Sequence, residues 1–256
     1  MNMRTNQELR RLARKNLAGN YRIPMGAVVF TQLLSTVVSL PFTNMLPERP
    51  NPVQYLVYYV ASFLIVVLTG VLGAGELKIH LNLARKEPGS LGVLFYGFKN
   101  KPDRFLIGAF ISLVLEGIWL LPAVFVGLQA YDTPSFEAVL LAIILAVAGT
   151  VVSVLFLLNM AVFTYLLLDY PNATVKECFV HSFEMMKGHK GRYFALCFSF
   201  VGFMFLSVLS FGIGIFWTIP YMNQTMTLFY LEIKGELSLI LEKNSTSQGY
   251  SFQQYV

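Results

Sequence analysis

The stretch HSFEMMKGHKGRYF, residues 181 to 194, gathers two histidines, a carboxylate and three bases close to Cys178. Those side chains admit two kinds of chemistry, a metal clamp and a phosphate loop. Metal pairs on a helix need i, i+3 or i, i+4 spacing so that both ligands face one ion. Cys178 and His181 meet that spacing, but His189 follows Gly188, which ends the helix, and no fourth ligand is near. A phosphate loop needs a strand, a longer glycine-rich turn, then Lys and Ser or Thr opening a helix. Here a helix ends at Gly188 and an apolar segment begins after Arg192. His80, His181 and His189 are the only histidines, and none stands beside a nucleophile motif. No catalytic residue, cofactor or metal is therefore expected. The residues read instead as a junction of amphipathic helix, glycine stop and basic anchor.

The second chemical candidate is Glu116, in SLVLEGIWLLP. An ionised carboxylate inside a membrane costs about 2.5–3.5 kcal/mol on insertion scales, so such residues face a bundle interior and mark a pathway or a pairing. Ser112 lies one turn earlier on the same face. PYMNQTMTLFY, residues 220 to 230, supplies Asn223, Gln224, Thr225 and Thr227 as hydrogen-bonding groups, with Pro220 able to bend the helix. The functional reading is a polar pocket between helices three and six, serving a transporter or a channel-like protein. The structural reading is a protonated Glu116 held by a neighbouring hydroxyl or amide.

These residues need elements to hold them, and composition says which. The 256 residues are 55% hydrophobic and 13% charged, about half the charge of a soluble domain. About 20 apolar residues span the hydrocarbon core as a helix. Six spans follow, at 23–42, 53–75, 105–130, 136–159, 193–211 and 214–233, with FGIG (211–214) as the turn between the last two. The fold class is an all-α, polytopic membrane protein, a single domain over 1–240 with a mobile polar tail at 241–256. With six crossings, every one of the 19 Lys and Arg except Arg49 falls on one side. Both termini are then cytoplasmic. No cleavable secretory signal is read at the N-terminus. Asn172, Asn223 and Asn244 match the glycosylation pattern but fall on the cytoplasmic side or in the membrane.

Short amphipathic helices complete the cytoplasmic face. Residues 1–22 carry a capping box, Thr5 with Glu8, and an apolar face of Leu9, Leu12, Ala13 and Leu17. That helix lies either in the membrane interface or on the ends of the bundle. SLGVLFYGFKNKPDRF places Leu91, Leu94, Phe95 and Phe98 at helical spacing. Thr174 and Glu177 form a second capping box, followed by a stripe of Val175, Cys178, Phe179, Ser182 and Met186. Arg10, Arg11, Arg14, Lys15, Lys187, Lys190 and Arg192 are the expected contacts of anionic phospholipid headgroups. The expected partners are the bilayer, a small-molecule or lipid ligand and a membrane-protein partner, with no nucleic acid.

LRRLARKNLAGN, LFYGFKN, IWLLPA, LLDYPNATVKECFVHSFEMMKGHKGRYFALCFSFVGF and GIGIFWTIPYMNQTMTLFY together resemble a family of bacterial membrane proteins known as domain of unknown function 975. The likeness spans nearly the whole chain. Two positions depart from the family's habit, Phe203 in place of Trp, and Pro122 with Ala123 in place of Pro-Gly. The resemblance implies a multi-helix protein of a Gram-positive plasma membrane with no established activity. The chain is also similar to the membrane portion of some glycerophosphodiester phosphodiesterases, which implies lipids or lipid-derived molecules as partners. The functional expectation is a non-enzymatic membrane protein that binds or moves a small or lipidic molecule, or assists an envelope or transport system.

Overall fold

The computed structural model describes residues 3–43, 51–132 and 135–243. Among the described residues every regular element is helical: α1 (Asn6–Leu17), α2 (Arg22–Thr43), α3 (Pro52–Arg85), a 3-10 turn (Leu91–Phe95), α4 (Tyr96–Lys99), α5 (Pro102–Gly117), a second 3-10 turn (Ile118–Leu120), α6 (Leu121–Asp132), α7 (Phe136–Met160), α8 (Phe163–Asp169), α9 (Val175–Met185), α10 (Lys190–Phe198), α11 (Val201–Leu209) and α12 (Ile215–Ile233). Five stretches are long and apolar enough to cross a membrane: Arg22–Phe42, Val53–Arg85, Pro102–Tyr131, Phe136–Asp169 and Lys190–Leu209. They coincide with the first five expected spans, and the chain is accordingly a helical, multi-pass membrane protein. The sixth expected span, 214–233, forms α12, which is not among them. The expected tail, 241–256, lies outside the described residues from position 244 onward.

The chain divides into two compact units, Met1–Asn100 with Gly191–Val256, and Lys101–Lys190. In the first, α12 is the central element, packed against α1, α3, α2 and α11. Its residues from Gln224 to Leu231 are all buried, so neighbouring helices, not lipid, receive its polar side chains. α1 begins with the expected capping box of Thr5 and Glu8, whose backbone and side-chain bonds hold the Glu8 carboxyl below its usual range. Its face of Leu9, Ala13 and Leu17 is completely buried. Each of the two leucines contributes about 1.5–3 kcal/mol. Of the two placements open to this helix, docking on protein is the one observed.

Between α11 and α12 the chain reverses through Phe211 and Gly212, both with left-handed φ (54° and 85°). The Ser207 and Thr218 hydroxyls close the hairpin at 2.9 Å. Gly214 is required there, because a Cβ would sit 2.9 Å from Ser207 Cα. A similar close approach fixes the 3-10 turn, where a Cβ on Gly75 would lie 1.9 Å from the Leu94 carbonyl oxygen. Leu94 thereby reaches Ala27, Leu72 and Ile79, with Phe98 packed against the same cluster.

In the second unit α6 and α7 form the most extensively packed pair. Two small residues one turn apart on α7 make its seam with the end of α5 and the 3-10 turn that follows, as small-xxx-small patterns do in membranes. A Cβ on Gly149 would lie 2.4 Å from the Trp119 carbonyl oxygen, and the Ser153 hydroxyl donates to the Glu116 carbonyl at 2.8 Å. α9 opens with the expected capping box of Thr174 and Glu177 and buries Cys178, Ser182 and Met186 from the expected stripe. Gly149→Ala is expected to lower stability by about 1–3 kcal/mol, because the backbone carbonyl must give way. Thermal unfolding of the purified variant in detergent measures this, and an unchanged midpoint would refute the close seam.

Candidate functional site

The residues with polar or ionisable groups are best followed unit by unit. Of the expected polar set, Ser112 and Glu116 belong to the second unit, and Asn223, Gln224 and Thr227 to the first. Glu116 is exposed and Ser112 half-buried. The bond the structure gives Glu116 is through its carbonyl, to Ser153. On α12, Thr225 and Thr227 are fully buried, and each returns its hydroxyl to the carbonyl four residues back, on Tyr221 and Asn223, at 2.8 Å. Such back-bonding satisfies a hydroxyl without a partner helix.

Gln224 behaves differently. Its side chain is fully buried and its Oε1 lies 2.7 Å from Nδ1 of His80, itself only 1% exposed. An amide oxygen can only accept, so His80 carries its proton on Nδ1 and donates it to Gln224. The ring's Nε2 is left as an acceptor, and the amide nitrogen of Gln224 has no partner. Four residues before His80 on α3, and hence on the same face, stands Glu76. It is half-buried, and on α2 the hydroxyl of Thr31, 6% exposed, donates back to the Ala27 carbonyl at 3.0 Å. The His80–Gln224 bond is thus the polar tie between α3 and α12.

Sequence reasoning ended the second span at Gly75 and assigned Glu76 and His80 to water. The signal for burial was present. Leu72, Glu76 and His80 recur at i+4, continuing the apolar stripe, while Lys78 projects from the opposite face, over the Tyr96 ring at 5.6 Å.

The same stripe, one turn earlier, lines a cavity of this unit. Leu34, Ser35 and Val38 of α2, Ile65, Leu68, Thr69 and Leu72 of α3, and Phe95 and Phe98 beyond them enclose about 290 Å³. That is close to the lower bound for small-molecule pockets, about 300 Å³. Leu72 forms its floor at 4% exposure, whereas Leu68 at 47% and Val38 at 41% stand at its open side. The Thr69 hydroxyl is already spent on the Ile65 carbonyl at 2.7 Å.

The bases expected at headgroups are of two sorts. Arg11, Arg14, Lys15 and Lys187 are exposed, and Lys190 is half-buried. Arg10 instead lies 5.3 Å over the rings of Phe200 and of Phe203, and its Nε donates to the Tyr221 hydroxyl at 3.2 Å. Arg192 pairs with Glu232 and donates to the Arg4 carbonyl. Glu232 also accepts the Arg4 backbone N–H at 2.6 Å. Arg85 grips Glu236 with two donors, at 2.7 and 2.9 Å, which holds the Glu236 carboxyl below its usual range.

In the second unit, Cys178 and His181 border a space of about 280 Å³ together with Leu166, Tyr170, Ala173 and Glu177. Burial pushes the Cys178 thiol up, against the opposing influence of Arg104. Arg104, another residue placed by sequence at the rim, is 7% exposed. Its guanidinium caps α8 by donating to the carbonyls of Leu167 and Tyr170 at 3.4 and 2.9 Å. Among the described residues no three of His, Cys, Asp and Glu converge as metal ligands do.

The model of the family described as Protein of unknown function (DUF975) matches residues 1–236. The chain belongs to this family. No curated protein and no solved structure matches it. The family's description assigns no activity, which leaves the geometry of the cavity as the functional clue.

Gln224→Leu is expected to cost about 1–3 kcal/mol by stranding the buried Nδ1–H of His80; an unaltered unfolding midpoint in detergent would show that the pair contributes nothing. Glu236 gives a pH dependence. Its depressed carboxyl stabilises the fold above the ordinary carboxylate range, and that contribution is lost as pH falls through the lowered folded value. Glu236→Gln should therefore melt below wild type near neutrality and converge with it in acid, as melting curves at stepped pH will show.

Proposed function

We propose that this protein is a multi-pass protein of the bacterial plasma membrane that holds the acyl chain of a lipidic molecule between α2 and α3, without catalysing a reaction on it. The cavity of about 290 Å³ is the observation that carries the reading. Seven of its nine lining residues are wholly apolar, and one of the two hydroxyls is satisfied within its own helix. It lies along the middle of two helices long and apolar enough to cross a membrane. In that setting the surrounding solvent is itself acyl chain.

The finer topology in this proposal has six crossings, with α12 as the sixth, and both termini cytoplasmic. The one-sided distribution of Lys and Arg supports it, Arg49 alone falling opposite. The polarity of α12 is compatible with a crossing because α1, α2, α3 and α11 cover it, and a helix so enclosed does not need an apolar surface.

A photoactivatable acyl-chain probe, added to the full-length protein in nanodiscs, tests the proposal. Labelled peptides should map to residues 34–38 and 65–72. Leu68→Trp, which fills the open side from a half-exposed position, should reduce labelling there several-fold. Uniform labelling of all membrane helices, unaffected by Leu68→Trp, would remove the proposal.

A further inference from the structure

An acid inside a membrane must find a partner, because hydrocarbon offers neither countercharge nor hydrogen bond. Among the described residues the Glu116 side chain has none. It is exposed, and the bond at this position is made by its backbone carbonyl, which accepts the Ser153 hydroxyl at 2.8 Å. Nor can it reach water. Between Arg104 and Asp132 it is the only charged residue, in the middle of the spanning stretch Pro102–Tyr131. At a rise of 1.5 Å per residue it stands roughly 18 Å along the helix from Arg104 and roughly 24 Å from Asp132, farther than a side chain with two methylenes extends. Its backbone is also fixed. Ser153 holds the Glu116 carbonyl, and the Trp119 carbonyl lies so close to α7 that a Cβ on Gly149 would sit 2.4 Å from it. The next residue, Gly117, is exposed too, and a Cβ there would touch nothing within 4 Å. A missing side chain beside a fixed acid lets a second backbone come close.

We infer that Glu116 and Gly117 are the docking point for a membrane helix of another protein, one that carries a Lys or Arg at the same depth. Charge complementarity selects the base. Hydrogen bonds between membrane helices are individually weak, so a hydroxyl or amide partner leaves much of the acid's insertion cost standing. A base at that depth carries a like cost of its own, and pairing relieves both at once. Other sources of a base do not reach. A lipid amine stays at the headgroup level, about 15 Å from the centre of the hydrocarbon core. A second copy of this chain has no base to offer in the middle of a span. In the five spanning stretches Arg22, Arg85, Arg104, Lys190 and Arg192 all fall in a first or last turn, and Lys78 is seated over the Tyr96 ring at 5.6 Å.

Synthetic transmembrane helices of leucine and alanine, about 20 residues long, test this on the full chain in nanodiscs of neutral lipid. They are identical except for a central Lys, Gln or Leu, and each carries a photo-cross-linker one turn from the centre. The Lys helix should cross-link to residues 109–120 about tenfold more than the Gln or Leu helix, a ratio within reach of one charge-assisted bond. Glu116→Gln, a change at an exposed side chain, should bring the Lys helix down to the level of the Leu helix. Gly117→Leu keeps the acid and fills the open space beside it, so it should lower cross-linking several-fold, and it supplies the comparison where Glu116→Gln does not fold. Equal cross-linking by the Lys and Gln helices, or a Lys helix indifferent to both variants, overturns the inference. So does a Glu116-dependent dimer of the chain in the absence of any added helix, counted by single-molecule photobleaching, because that result gives the acid to a second copy.

Discussion

Everything in the first unit depends on hiding one polar helix. α12 carries Thr218, Tyr221, Asn223, Gln224, Thr225 and Thr227 within ten residues, a composition that hydrocarbon would not accept. In lipid each unsatisfied polar group costs several kcal/mol, so α12 needs partners or a cover. It has both. Ser207 takes Thr218, His80 takes Gln224, Tyr221 holds Arg10, and the remaining threonines bond their own backbone. The cover explains the rest of the unit: α1 docks with its apolar face inward because α12 needs a lid, and Arg10 spreads over Phe200 and Phe203 while bonding Tyr221. Arg192 and Arg4 converge on Glu232 at the far end of the same helix.

Much of this was legible in the sequence, for physical reasons that also mark where legibility stops. Apolar runs announce themselves by length, and five of the six matched a helix of spanning character. The capping boxes at Thr5 and Thr174 are local interactions between residues three apart, so the sequence contains both partners. The FGIG turn is equally local. α12 was legible as a helix but not as a core element, since its protection is supplied by α1, more than two hundred residues away in sequence. His80 and Glu76 were lost for the opposite reason: a hydropathy reading averages over all faces of a helix, and Lys78 between them drags the window into water. Only the face-by-face pattern separates the buried His80 from the base.

Arginines show the same limit. By charge alone Arg10, Arg104 and Arg192 are indistinguishable from Arg11 and Arg14, yet the first three are fixed on protein groups and the latter two are exposed. Arg104 is the clearest case. Its guanidinium terminates α8 by taking the carbonyls that a helix end leaves without donors, a role fixed by the position of α8 and invisible in PDRF. A basic rim inferred from counting thus contains two populations, one structural and one free to meet anionic lipid.

The candidate site joins these threads. Glu116 drew attention because a carboxylate stood alone in an apolar run, which is a signal about cost. Cost, however, depends on surroundings that a run does not show: Glu116 is exposed, whereas Glu232 on α12 is paired with Arg192. The apolar groove is walled on one side by Leu68 and Leu72 of α3. Farther along the same face, the His80–Gln224 pair ties α3 to α12, so the wall of the groove is anchored to the best-buried helix of the unit. Packing of the wall and its anchorage are therefore set by successive turns of a single helix, with Leu72 buried at the cavity and His80 bonded to Gln224 of α12.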